Sequence, residues 1–259
     1  MKKRNRIVLA AAAAVLLVAA VICGGMAYYR YWQEEHAGSR YEEIREEAGT
    51  GVPEEEPAQE TEEEPVSIPI DFDALIQRNP EVYAWITIPG TAIDYPVLQS
   101  ETDNSYYLTH TIDRTQSPEG AIYTENYNSR DFEDPNTVIY GHDMKNGSMF
   151  QNLLYYQDRS FFDTNREVIV YTPDAIRRYR IFAAYVYDDR HLMQSFDFND
   201  REVFARYLDS ILSIRDMNSC IDIEAEVGAD DKIITLSTCY GLQDDARYLV
   251  QAKLVSIEK

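Results

Sequence analysis

Residues 235–250 read TLSTCYGLQDDARYLV. A β-branched run ends at a cysteine, turn-prone residues follow, and a second apolar run opens on an arginine. The pattern predicts two strands which, paired antiparallel, bring the end of the first beside the start of the second and make Cys239 and Arg247 neighbours. In KIITLSTC (232–239), strand alternation puts Ile234, Leu236 and Thr238 on one face, expected to be core. Ile233, Thr235, Ser237 and Cys239 fall on the other, expected to border a groove. A guanidinium beside a thiol favours thiolate and can donate hydrogen bonds to a developing oxyanion.

Upstream, the chain reads as further short β runs at 82–88, 92–99, 106–111, 121–126, 136–140, 167–172 and 178–187, with 232–238 and 247–257 completing the set. Punctuation by Gly, Pro, Asn and Asp predicts a mostly β fold, a closed barrel or a sandwich. Three helical patches interrupt it. Asp71 caps FDALIQR, which stops at Asn79-Pro80. Residues 148–156 form the second, and 200–214 the third, whose apolar stripe includes Phe204, Tyr207, Leu208 and Ile211. Asn199 and Glu202 resemble a capping box for that helix.

The chain has 259 residues, 45% of them hydrophobic, enough for one catalytic-size domain. Residues 7–27 carry no charge and would measure about 32 Å as a helix, against a hydrocarbon core of about 30 Å. Lys2, Lys3, Arg4 and Arg6 precede this run, and Tyr28, Tyr29, Tyr31 and Trp32 follow it. The expected organisation is a cytoplasmic basic N-terminus (1–6), a single-pass transmembrane anchor (7–27), an acidic Glu- and Pro-rich stalk (28–66) and an extracellular catalytic domain (67–259) at the cell membrane. A cleaved signal peptide is the competing reading. The net charge of −21 excludes nucleic acid, which is bound through Lys and Arg.

Of the three cysteines, Cys23 lies in the apolar run. Cys220 and Cys239 either pair as a disulfide, as an oxidising compartment permits, or leave Cys239 free as a nucleophile. A nucleophile needs a proton carrier, usually histidine. His36 falls in the stalk and His191 in the long insertion, both read as solvated. His110 and His142 lie in the folded region, and His142 follows a strand at a glycine turn. A metal site from His110, His142 and Cys239 lacks the short ligand spacings of zinc sites, and no calcium-loop signature appears, so no metal or cofactor is expected.

TLSTC (235–239), Arg247 eight positions on, and YGHDM (140–144) together resemble a sortase, a membrane-bound cysteine transpeptidase of Gram-positive bacteria. NPEVYAWITIPGTAIDYPVLQ (79–99), DNSYYLTH (103–110) and YGHDMKNGSMFQNLLYY (140–156) are similar to class B members. The resemblance spans 71–257. It implies a closed eight-stranded barrel with an N-terminal helix and a helix-bearing insertion before the cysteine strand. It further implies Cys239 as nucleophile, His142 as general acid and base, and Arg247 as the group that holds substrate and stabilises the oxyanion. Asn104, Leu108, Tyr140 and Ser237 match groove-lining positions. Asp143 departs from the commoner Asn.

The implied reaction cleaves a C-terminal sorting motif of an exported protein at a Thr carbonyl and passes the acyl group to a cell-wall precursor amine. Pilin polymerisation uses the same chemistry with another amine. A secreted cysteine hydrolase, passing the acyl group to water, and a silent binding module with a Cys220–Cys239 disulfide remain as rivals. With ordinary thiol and imidazole pKa values, about one per cent of molecules would hold thiolate and imidazolium together at pH 7.

Overall fold

The β-branched and aromatic runs fold into nine strands of one sheet in a computed structural model that describes residues 2–49, 66–241 and 245–259. The side chains of 2–14, 30 and 33–38 lie outside the description. The strands are β1 (Val82–Thr87), β2 (Asp94–Leu98), β3 (Ile122–Thr124), β4 (Asn136–Tyr140), β5 (Glu167–Thr172), β6 (Ala175–Asp188), β7 (Cys220–Ile221), β8 (Ile233–Cys239) and β9 (Ala246–Glu258). Their order is β5-β1-β2-β3-β4-β8-β9-β6-β7, and β5 also pairs with β6. Eight strands therefore close into a barrel, and β7 adds a short outer edge to β6.

The helices are α1 (Lys2–Glu47), α2 (Phe72–Arg78), α3 (Tyr106–Thr109), α4 (Arg159–Thr164), α5 (Leu192–Ser195) and α6 (Arg201–Leu212), with a 3₁₀ turn at Gln151–Gln157. Asp71 caps α2 as expected, accepting from Ala74 N–H at 2.9 Å. Asp200, not Asn199, caps α6, accepting from Glu202 and Val203 N–H. The run 106–111, expected as a strand, instead opens with α3. Its Leu108 N–H bonds Ser105 O and its Tyr107 carbonyl takes the Ala121 N–H, so local turns and the 117–121 segment use the groups a ladder would need.

The core lies inside the barrel, where Trp85, Val97, Ile139, Leu236 and Val250 meet. A second cluster forms outside: α6 lays Phe204, Tyr207, Leu208 and Ile211 over Val138, Ile233 and Leu249. Residues 233–238 are consequently buried on both faces, although alternation assigned the Thr235 face to a groove border. Several polar atoms on that face bond to one another, while Asn136 Nδ2 and Gln251 Oε1 are buried without a partner among the described residues. Thr235 Oγ1 donates to Asn136 Oδ1 at 2.8 Å, and Gln251 Nε2 donates to Thr235 Oγ1 and to Tyr207 Oη at 2.9 and 2.7 Å.

Two expectations about the N-terminal third change. Among the described residues no helix is long and apolar enough to cross a membrane, so the single-pass placement with an extracellular domain is corrected. The uncharged side chains described run from Val15 to Tyr29, about 22 Å of helix where a span needs about 30 Å. From there α1 continues unbroken into the Glu-rich segment. Side chains of 7–14, part of that expected span, lie outside the described residues.

The end of α1 is also no free stalk. Tyr41, Ile44 and Ala48 are buried against the barrel, and Tyr41 Oη donates to the Gly120 carbonyl at 2.9 Å. Arg40 reaches Glu119, a fully buried carboxylate, at 2.6 Å. The remainder of the expected stalk, 50–65, lies outside the described residues.

Candidate active site

Parallel pairing of β4 with β8 sets Tyr140 opposite Ser237. Both strands run toward the same barrel end, so His142, just past β4, and Cys239, the last residue of β8, emerge together. Antiparallel pairing of β8 with β9 sets Cys239 opposite Arg247, as the sequence pattern predicted. Gly141 N–H donates to Ser237 O at 3.1 Å, and Phe150 N–H to His142 O at 2.9 Å, which fastens the histidine turn at both sides. Only glycine fits at 141. A Cβ there would lie 2.5 Å from Ile122 Cδ1 and 2.6 Å from Phe150 Cγ.

His142 is half-buried, and its Nε2 lies 2.7 Å from the Leu108 carbonyl. A carbonyl only accepts, so Nε2 carries the proton and Nδ1 is the nitrogen left for exchange. Leu108 is itself held in place by close backbone packing. Gly120, at φ +56°, passes so near the Tyr107 and Leu108 carbonyls that a Cβ would lie 2.4 and 2.7 Å from their oxygens.

Hydrogen bonding with His142 pulls the Cys239 thiol below its ordinary pKa; burial opposes this, the Arg247 and imidazolium charges assist it, and the Asp143 carboxylate pushes upward. Burial pushes the His142 imidazole down, but its bonds to Cys239 and Leu108 O and the thiolate charge outweigh it and hold the imidazole above its usual value. The shifts have opposite sign. Both enlarge the fraction carrying thiolate and imidazolium together beyond the one per cent that ordinary values give. The Asp143 carboxylate acts on the thiol.

A groove of about 230 Å³ runs over these groups, and Leu108, Tyr140 and Ser237 line it. Asn104 is not among its walls; its side chain accepts the Asn126 N–H at 2.8 Å. Two lining residues escaped the sequence reading. Glu125, just past β3, accepts from Tyr140 Oη at 3.2 Å and pairs with His191 Nε2 at 2.7 Å, so His191 closes the groove instead of facing solvent. A Glu after a strand and a His in a long insertion carry no shared local pattern, and only the closed barrel brings them together.

Cys220 and Cys239 are unpaired, which overturns the disulfide. Cys220 is buried on β7, and burial holds its thiol above the ordinary range. His110 stacks on Tyr106 at 4.1 Å, with Nδ1 2.9 Å from the Tyr106 carbonyl. Among the described residues no group of His, Cys, Asp and Glu could hold a metal ion.

Residues 86–255 match the family model described as Sortase domain. A sortase B of Listeria monocytogenes is 34% identical over 190 residues, covering 70% of this chain and 73% of the relative. The crystal structure of Clostridium perfringens sortase B superposes with a TM-score of 0.63 at 30% identity, covering 72% of this chain and all of that one. A Staphylococcus aureus sortase B–substrate complex gives 0.62 at 28% identity, over 71% and 84%. The chain belongs to the sortase family. Its named relatives are class B, and it is a sortase-type cysteine transpeptidase.

Proposed function

We propose that Cys239 attacks the Thr carbonyl of a sorting motif near the C-terminus of an exported protein. The carbonyl carbon–nitrogen bond breaks, a thioester forms on Sγ, and the leaving amine takes a proton from His142. A cell-wall precursor amine then attacks the thioester, gives its proton back to His142 and frees Cys239. Arg247, opposite Cys239, directs its guanidinium hydrogens at the tetrahedral oxyanion. Leu108, Tyr140 and Ser237 flank the peptide.

The observation that carries this reading is the register pair of Cys239 and Arg247, with His142 lining the same groove. Among the described residues no carboxylate forms an ion pair with Arg247, whose Nη1 donates to the Ala246 carbonyl at 3.1 Å. Its charge is thus available to substrate. That the S. aureus relative has been solved as a substrate complex supports reading this chain as one that binds a substrate.

The test is a library of sorting peptides incubated with wall-precursor amines and analysed by mass spectrometry. Transfer to amine is expected. Products formed only with water, whatever amine is added, would make the protein a hydrolase.

A further inference from the structure

Asp143 follows the proton carrier, yet its contacts lead elsewhere. Past Cys239 the β8–β9 ladder closes with Tyr240 N–H donating to Ala246 O at 3.1 Å. Gly241 comes next, where the two strands part. Its backbone lies against the Asp143 carboxylate: a Cβ built on Gly241 would lie 3.0 Å from Asp143 Oδ2. Asp143 is held rigidly from the other side. It bridges Met149 in an isolated antiparallel pair, Gly147 N–H closes a turn onto Met144 O at 2.9 Å, and the buried Met144, Met149 and Phe150 anchor the loop in the core.

We propose that Asp143 is a positioning residue: its carboxylate accepts the Gly241 N–H and so fastens the loop bearing His142 to the turn that follows Cys239. The pairing of β4 with β8 stops at Tyr140 and Ser237, so beyond it no ladder between these two strands holds the His142 backbone against Cys239. The Gly141 bond to Ser237 O ties one side of that backbone, and Asp143 ties the other.

The carboxylate has a second effect. It sets a negative charge near Cys239, where His142 from the same loop, Arg247 from β9 and Tyr123 from β3 also act, and Glu125, Asp189, Arg190 and His191 line the groove. Asparagine at 143 would keep an acceptor for Gly241 and remove the charge. Alanine would remove both. The two roles are therefore separable.

The proposal rests on the reading of Cys239 as nucleophile. Its test uses the full chain with Asp143→Asn, Asp143→Ala, Gly241→Ala and the double variant Asp143→Ala/Gly241→Ala. Three quantities are read: amide hydrogen exchange at Gly241, the pH midpoint of iodoacetamide alkylation on the Cys239 peptide, and the rate of acyl transfer. Asp143→Ala should lose Gly241 protection and about tenfold in kcat with little change in KM. Asp143→Asn should keep the protection and most of kcat. Both should lower the alkylation midpoint, since both remove the charge. Gly241→Ala should impair the wild type, by crowding Oδ2, and add little to Asp143→Ala.

Wild-type protection and turnover in Asp143→Ala would overturn the proposal. So would Asp143→Asn being as impaired as Asp143→Ala. Cys239→Ala, measured alongside, judges the reading of the site. The contrast between the two Asp143 variants judges this inference, so the two can fail separately.

Discussion

Cys239 and Arg247 form the last register pair of the β8–β9 hairpin, the point where two paired strands open into the groove. Their separation is set by backbone hydrogen bonding in the ladder, which positions a guanidinium against a thiol more firmly than a flexible loop would. Arg247→Lys keeps the charge but loses the planar fork of donors. Turnover is expected to fall about a hundredfold, the scale of losing an oxyanion donor, with peptide binding much less affected. Steady-state kinetics on a cleaved sorting peptide checks this; a lysine enzyme as fast as wild type would mean that charge alone suffices.

Cys239→Ala should abolish transfer while leaving the thermal midpoint within a few degrees of wild type, because an exposed side chain at a strand end opens no core cavity. Cys220→Ala is its control and should retain activity. The paired readout is product mass spectrometry and a melting curve, and residual transfer in Cys239→Ala would remove the thiol from the mechanism.

The opposite shifts of Cys239 and His142 make a pH prediction. The thiol is lowered, so its contribution to stability is present above the ordinary thiol range and is lost as pH falls through the lowered value. The imidazole is raised, so its contribution is present below the ordinary histidine range and is lost as pH rises through the raised value. The difference in melting temperature between wild type and Cys239→Ala should therefore vary across the neutral region. Alkylation of Cys239 followed from pH 5 to 10 should have its midpoint below that of a free thiol; a midpoint at or above that of a free thiol contradicts the arrangement.

Gly141→Ala tests how His142 is held. A methyl group would overlap Ile122 and Phe150, both fully buried, and overpacking of this kind costs about 1–3 kcal/mol. The strain falls on the residue before His142, so turnover should drop more than the fraction of unfolded protein accounts for. Denaturant unfolding and kcat on one preparation separate the two.

Arg40→Ala probes the contact of α1 with the barrel. It removes the guanidinium from fully buried Glu119, leaving Ser117 Oγ as that carboxylate's hydrogen-bond partner among the described residues. Because Arg40 itself is about a third exposed, the expected cost is about 2 kcal/mol, below that of breaking a wholly buried pair. Chemical denaturation measures it, and Arg40→Lys should recover part of the loss.

The hairpin around Cys239 was legible because two short-range rules suffice: alternation along a strand and antiparallel return. Strand content was legible for the same reason. The run 106–111 was misread because its aromatic and β-branched residues favour a strand, while the bonds from Ser105 and Ala121 that decide its shape come from turns and from a later segment. Burial of Thr235 depends on α6, which arrives from the insertion, and a helix covering a sheet face leaves no mark on the strand it covers. His191 and Glu125 are 66 positions apart, and their meeting is a property of barrel closure. At the N-terminus, composition described a charged tail, and three apolar positions, Tyr41, Ile44 and Ala48, were enough to dock it.

The parallel pairing of β4 with β8 bears on how this molecule can change. All of the chain between Gly141 and Lys232 leaves one strand and returns to its immediate neighbour. That excursion includes both helices of the insertion and three other strands, yet the strands that lead to the histidine and the cysteine are held together by five adjacent residue pairs. Lengthening or trimming the outward part of the excursion would redraw the groove wall that a peptide meets while the reacting atoms keep their spacing. The wall contributed by residues 187–192 is thus free to drift, while Tyr140 and Ser237, paired across β4 and β8, stay with the reacting groups.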